Sequence, residues 1–261
     1  MRTHSLALGF LLASGSALVS GPALAADLAA IVQKGTLTVA MSGEYPPFSQ
    51  PSLKGGLEGF DVDVANELGK RMGVKVNTVK TEFPSIIAGL QAGTFDLAVA
   101  SQSKTPERAK AIDFSDKPYY YDGVQLFVPI DSKTTELNTL KGQPVGVALG
   151  TTFETLLRKQ GQDNIVTFSG EQEGFLALGS GRIVAFLTEK SVGAVAIKKG
   201  IKMKPAGPVL AADETYVTFA KNSPTLKAAV DKALDAMRAD GTMKKISQRW
   251  IGLDISTALN K

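Results

Sequence analysis

The chain has 261 residues, a formal charge of +4, no cysteine and a single histidine, His4. Beyond residue 4 there is neither imidazole nor thiol, which excludes Ser-His-Asp and Cys-His catalysis, zinc sites built on His or Cys, and disulfides. The mild basic surplus forms no block interleaved with aromatics, so nucleic acid is not an expected partner.

Met1-Arg2, the apolar run Leu6 to Val19 and Ala23-Leu24-Ala25 have the order of a secretory signal peptide over residues 1–25. No cysteine stands near the cut, so the expected product is periplasmic and soluble, with no lipid anchor. Short β-branched runs then alternate with helical patterns, which predicts an α/β fold. Thr36 to Ala40 reads as a strand, and Gly59 to Met72 runs into a helix with Asp61 as its N-cap. Val74 to Val79 is a strand, Ser85 to Ala92 a helix stopped by Gly93, and Phe95 to Ala100 a strand. Ser103-Lys104-Thr105-Pro106-Glu107 has the form of a helix start. Tyr119 to Ile130 is a long strand with Gly123 inside it.

A similar cycle begins after Lys141. Pro144 to Leu149 is a strand, Thr152 to Lys159 a helix, and Ile165 to Phe168 a strand. Gln172 to Leu178 is a helix, and Ile183 to Leu187 a strand. IIAGLQAGTFDLAVAS (86–101) and FLALGSGRIVAFLTE (175–189) echo each other: helix, glycine, five-residue apolar strand, polar end. The echo implies two similar lobes. Thr215 to Ala220 returns the chain to the first. Thr225 to Met237 makes an amphipathic helix burying Leu226, Val230, Leu234 and Met237, and a last helix covers Met243 to Trp250. The expected division is lobe 1 over 27–122 and 217–261, with lobe 2 inserted over 123–216. Ligands of open α/β sheets sit beyond the carboxyl ends of strands, which places the site in the cleft between the lobes.

At one such end, Ser101 and Ser103 are followed by Thr105-Pro106-Glu107-Arg108. A guanidinium fork, hydroxyls and free amides at a helix start form a receiver for a carboxylate. Gly150-Thr151-Thr152 opens the next lobe's helix and lacks the ending of a phosphate loop.

Ordered motifs across nearly the whole chain carry a resemblance. They are YPPF from Tyr45, GFDVDVANEL from Gly59, Gly93-x-x-Asp96 into LAVAS, TPERAKAIDFSDKPYY from Thr105, LKGQPVGVALGTT from Leu140 and ADGTMKKISQRWIG from Ala239. The chain resembles the extracytoplasmic solute-binding proteins of polar amino-acid ABC transporters. That resemblance implies a two-lobed type II periplasmic binding fold, in which each lobe is a mixed sheet flanked by helices and two hinge strands join them. It implies a monomer that closes on an amino acid and delivers it to an inner-membrane permease, with no cofactor and no enzymatic activity. Arg108, the Ser103 amide and Thr152 would hold the α-carboxylate, with Ser101 beside them. Tyr45 and Phe83 would sandwich the ligand. Glu189 stands where the family usually places an Asp for the α-ammonium, one methylene longer, so it would bond directly or through water. Ser42 stands where relatives that prefer cationic side chains can carry an Asp, while Glu44, Gln102, Lys104 and Asp122 could each reach the ligand's side chain; their conflicting signs choose no substrate, and a polar side chain on the ligand is expected. Phe48, Phe60 and Trp250 are assigned to packing. A cyclohexadienyl dehydratase acting on prephenate or arogenate, with Glu189 as proton donor, is the alternative on the same fold.

Overall fold

Residues 27–258 are described by a computed structural model. The signal peptide expected over residues 1–25 lies outside them. Helix α1 (Leu28–Lys34) is capped by Asp27 and leads into strand β1 (Thr36–Met41). A loop follows with the short pair β2 (Gln50–Pro51) and β3 (Leu57–Glu58). Helix α2 (Phe60–Met72), strand β4 (Lys75–Lys80), helix α3 (Ile86–Gln91) and strand β5 (Leu97–Ser103) complete a first cycle. Helix α4 (Pro106–Ala111) and strand β6 (Ile112–Phe114) lead to the long strand β7 (Tyr120–Pro129).

The second cycle is β8 (Val145–Ala148), α5 (Thr152–Lys159), β9 (Ile165–Phe168), α6 (Glu171–Gly179) and β10 (Ala185–Glu189). Helix α7 (Lys190–Lys198) and strand β11 (Met203–Ala220) bring the chain back. Helices α8 (Pro224–Ala239) and α9 (Thr242–Trp250) finish it.

The strands lie in the order β4-β1-β5-β11-β7-β10-β8-β9, with β6 also on β11. In both cycles the first strand lies between the second and third, and all of these pairings are parallel. The echo between 86–101 and 175–189 is therefore a structural repeat, α3-β5 matched by α6-β10. Strands β7 and β11 pair antiparallel with each other and join the two halves into two lobes.

Most expected elements stand within two residues of their observed ends. The face of α8 buries Leu226, Val230, Leu234 and Met237 as its spacing predicts. Phe48 and Phe60 are fully buried, and the Trp250 indole donates to Asp63 Oδ2 at 2.7 Å. Helices α1 and α7 are additions to the expected set. The segment KSVGAVAIK of α7 carries β-branched residues and a glycine, so its propensity for helix is weak, and packing against β7 and β10 supplies what propensity does not.

One cap is corrected. Gly59, with φ 141°, holds the N-cap of α2, and Asp61 lies inside the first turn, fully buried. Its carboxylate is committed to tertiary partners.

Candidate functional site

Because the strands of each cycle are parallel, their carboxyl ends open on one side, and the two lobes present these ends to each other. Beyond β1 stand Ser42, Glu44 and Tyr45, and beyond β4 stands Phe83. The end of β5 supplies Ser101 and Ser103, followed by Arg108. From the other lobe come Thr151 and Thr152 after β8, and Ser169 and Glu171 after β9. Together they enclose a narrow cavity of about 40 Å³.

Ser101 is held in the left-handed region, φ 52°, which costs on the order of 1–3 kcal/mol for such a residue. Buried bonds hold it there. Its amide donates to the Tyr119 hydroxyl at 2.9 Å and its Oγ to Asp61 Oδ2 at 3.0 Å. Tyr119 in turn donates to Asp61 Oδ1 at 2.7 Å. Asp61 thus sets the backbone of the β5 end. Burial raises its pKa from 3.8 to about 7, against the lowering effect of Tyr119 and Ser101. A carboxyl with a raised folded pKa contributes stability below its unfolded pKa and loses it as pH rises through the folded one. Asp61→Asn is therefore expected to flatten the fall in stability between about pH 4 and 7, by on the order of a few kcal/mol, as read from denaturant melts across that range.

Arg108 makes no ion pair among the described residues. Its guanidinium donates to Ser103 O at 2.7 Å and, across the gap, to Gly150 O at 3.1 Å. The ring centroid of Phe83 is 5.5 Å from its Cζ. Two carbonyls leave most of the five N–H donors free for a ligand. Beside it, Ser103 Oγ and Thr152 Oγ1 meet across the lobes at 3.3 Å. Thr151 caps α5 through the Glu154 amide, which leaves Thr152 in the first turn, where negative charge is favoured.

The lobes meet again at the other end. The Glu171 amide donates to Glu44 O at 3.2 Å, and Gly170 is pressed so close that a Cβ there would stand 2.3 Å from that carbonyl. Tyr45 stacks on Phe48 at 5.2 Å and Phe48 on Tyr120 at 4.7 Å, a column running from the cavity into the core. The buried Tyr45 hydroxyl makes no hydrogen bond of ordinary geometry among the described residues, and Glu189 is the carboxyl that acts on it most strongly. Burial first, then the charges of Glu189 and Glu171, raise its pKa, so it stays protonated.

Of the nine residues expected at the site, Glu44, Tyr45, Phe83, Ser101, Ser103, Arg108 and Thr152 line the cavity. Gln102 does not. It lies between Ser101 and Ser103 on the strand, faces away, and accepts from Thr218 Oγ1 at 2.6 Å. Glu189 lies just behind the wall, fully buried, and accepts from the Tyr120 hydroxyl at 2.9 Å. Burial, then Asp122 and Asp213, push its carboxyl well above the usual range. Asp122 spends its carboxylate on the Gly123 and Ser191 amides, and Lys104 lies over the rings of Phe114 and Tyr216. Glu44 is paired with Lys80, and Ser42 lines the cavity.

Sequence reasoning missed Thr151, Ser169 and Glu171 on the wall, and Tyr120 and Asp213 behind it. The internal repeat held a usable signal for Glu171. Phe83 follows the second strand of the first cycle, and residues 169–171 follow the second strand of the second.

A family model described as bacterial extracellular solute-binding proteins, family 3, matches residues 37–253. The L-cystine-binding protein TcyJ of Escherichia coli (strain K12) is 33% identical over 231 residues, covering 87% of this chain and 86% of that protein. Among solved structures, an amino acid ABC transporter substrate-binding protein from Streptococcus pneumoniae bound to L-arginine is 30% identical with a TM-score of 0.81, over 87% of this chain and 98% of that one. The ancestral amino acid-binding protein AncCDT-1, a precursor of cyclohexadienyl dehydratase, is 34% identical with a TM-score of 0.80, over 86% and 99%. The matched length, the shared two-lobed architecture and these identities agree: the chain belongs to the bacterial extracellular solute-binding proteins, family 3.

Proposed function

We propose that the protein is the periplasmic receptor of an ABC importer, binding a free amino acid between lobe 1 (27–122 and 217–261) and lobe 2 (123–216). The observation that carries this reading is Arg108, which spans the cleft with donors to spare and makes no ion pair among the described residues. The ligand's α-carboxylate takes those donors together with the Ser103 amide and the first turn of α5 at Thr152. Its α-ammonium turns toward Glu189 behind Tyr45, directly or through water, and Tyr45 and Phe83 flank the body of the molecule. A cavity of about 40 Å³ has room for only a few waters, so the lobes must part to admit the ligand and close over it. Strands β7 and β11, the two connections between lobes, are where that rotation is absorbed. The closed form is what a membrane permease would recognise. The receptor is expected to act as a monomer without a cofactor.

A thermal-shift screen of the mature protein against the amino acids tests this. A ligand at a hundredfold excess over its Kd adds about 2.7 kcal/mol of stability. A screen in which no amino acid raises the melting temperature overturns the reading.

The second reading, a dehydratase, is favoured by one observation: Glu189 is a buried acid beside the cavity whose carboxyl burial pushes above the usual range. Incubation with prephenate and arogenate, followed for the aromatic product, decides it. The receptor reading expects no turnover.

A further inference from the structure

We propose that Glu171 selects the ligand's side chain and that the side chain it takes ends in a positive charge. This rests on the reading of the cleft as an amino-acid site and adds to it the class of ligand.

Glu171 opens α6 and is 1% exposed. Its Oε1 accepts from Thr188 Oγ1 at 3.3 Å. It pairs with no Lys or Arg among those residues, whereas Glu44, the other carboxylate on the wall, is neutralised by Lys80. Glu171 is thus a buried acid on the cavity wall whose counter-charge the described chain does not supply.

Its position fixes which part of the ligand it meets. Arg108 sits at the crossing made with Ser103 and Gly150, and Glu171 at the crossing made with Glu44. With the α-carboxylate at Arg108 and the α-ammonium at Glu189, the group that reaches Glu171 is the far end of the side chain. Ser42 and Ser169 stand there as well, so the wall at that end offers hydroxyls and a carboxylate and no free cation among the described residues. A guanidinium or ammonium would find a charge-assisted partner in Glu171 and acceptors for its remaining N–H groups. Such bonds are roughly twice as strong as neutral ones. A side chain ending in a carboxylate would find no free cation at that end among the described residues.

The groups facing Glu171 are Glu44 with its Lys80, Tyr45 and Glu189, together with Glu173 on its own helix, which is bonded to Ser169. Burial raises the Glu171 carboxyl to about 8, so near neutrality the empty site holds a proton there that a cation displaces and a neutral side chain does not.

L-Arginine and L-citrulline have nearly the same shape and differ in charge at the far end. Calorimetric titration of the mature protein with each, in buffers of different ionisation enthalpy, reads affinity and proton release together. We expect arginine to bind at least about tenfold more tightly, the worth of one charge-assisted bond, and to release more protons on binding than citrulline does. Glu171→Gln should cost arginine that advantage and its extra proton while leaving citrulline within a few-fold of its parental affinity. Equal binding of the two ligands by the parent, or equal losses in the variant, overturns the proposal while the amino-acid site stands. If neither these two nor any other amino acid binds, the reading of the cleft falls, and this proposal with it.

Discussion

Arg108→Ala is expected to weaken amino-acid binding by roughly two to four powers of ten in Kd, measured by calorimetry, with the fold intact. That magnitude follows from two charge-assisted bonds to a carboxylate at about 1.5–3 kcal/mol each. The fold should survive because the side chain is only half-buried and its two partners are the carbonyls of Ser103 and Gly150 at the open cleft, where water can replace it. Arg108→Lys keeps the charge but loses the planar fork, so its affinity should fall between those of parent and alanine variant. Unchanged affinity in the alanine variant would remove Arg108 from the site and leave the receptor account without its anchor.

The second large effect lies outside the cavity. Gly59→Ala should lower stability by about 3 kcal/mol or more, a drop in melting temperature of roughly 10 °C. Two costs combine. At φ 141° a residue with a Cβ is strained, and that Cβ would stand 2.1 Å from Phe48 O and 2.8 Å from Pro47 O. Those carbonyls cannot swing aside, because they accept from the Asp61 and Phe60 amides at 2.9 and 3.0 Å. The same loop carries Tyr45 into the cavity, so ligand affinity should fall along with stability. A melting temperature within a degree or so of the parent's would show that the loop yields, and would weaken the argument that Gly59 fixes Tyr45.

Much of the site is legible in the sequence. Periodicity places the strands whose ends build it, and the chemistry of Ser101, Ser103 and Arg108 marks a carboxylate receiver. Gln102 departs from expectation for a local reason. On a strand, neighbours of a wall residue point to the other face, and the bulged geometry at Ser101 still leaves Gln102 directed at Thr218. Asp61 departs for a tertiary one. An aspartate two residues after a glycine at a helix start looks like a cap, and only the approach of Tyr119 and Ser101 reveals its other use. Glu171 has no motif of its own. Its significance comes from the burial of its carboxyl and from the positions of Glu44 and Thr188, which are distant in sequence.

By itself the sequence determined the alternation of strands and helices, the duplication of the cycle, and the loss of imidazole and thiol chemistry, since each depends on residue type and short-range spacing alone. The tertiary structure decided which carboxylates are neutralised and which remain uncompensated. Glu44 and Glu171 are the same residue type, but Lys80 reaches one and no cation among the described residues reaches the other. Charge at close quarters depends on distance and on exclusion of water, and neither exists until the two lobes face each other.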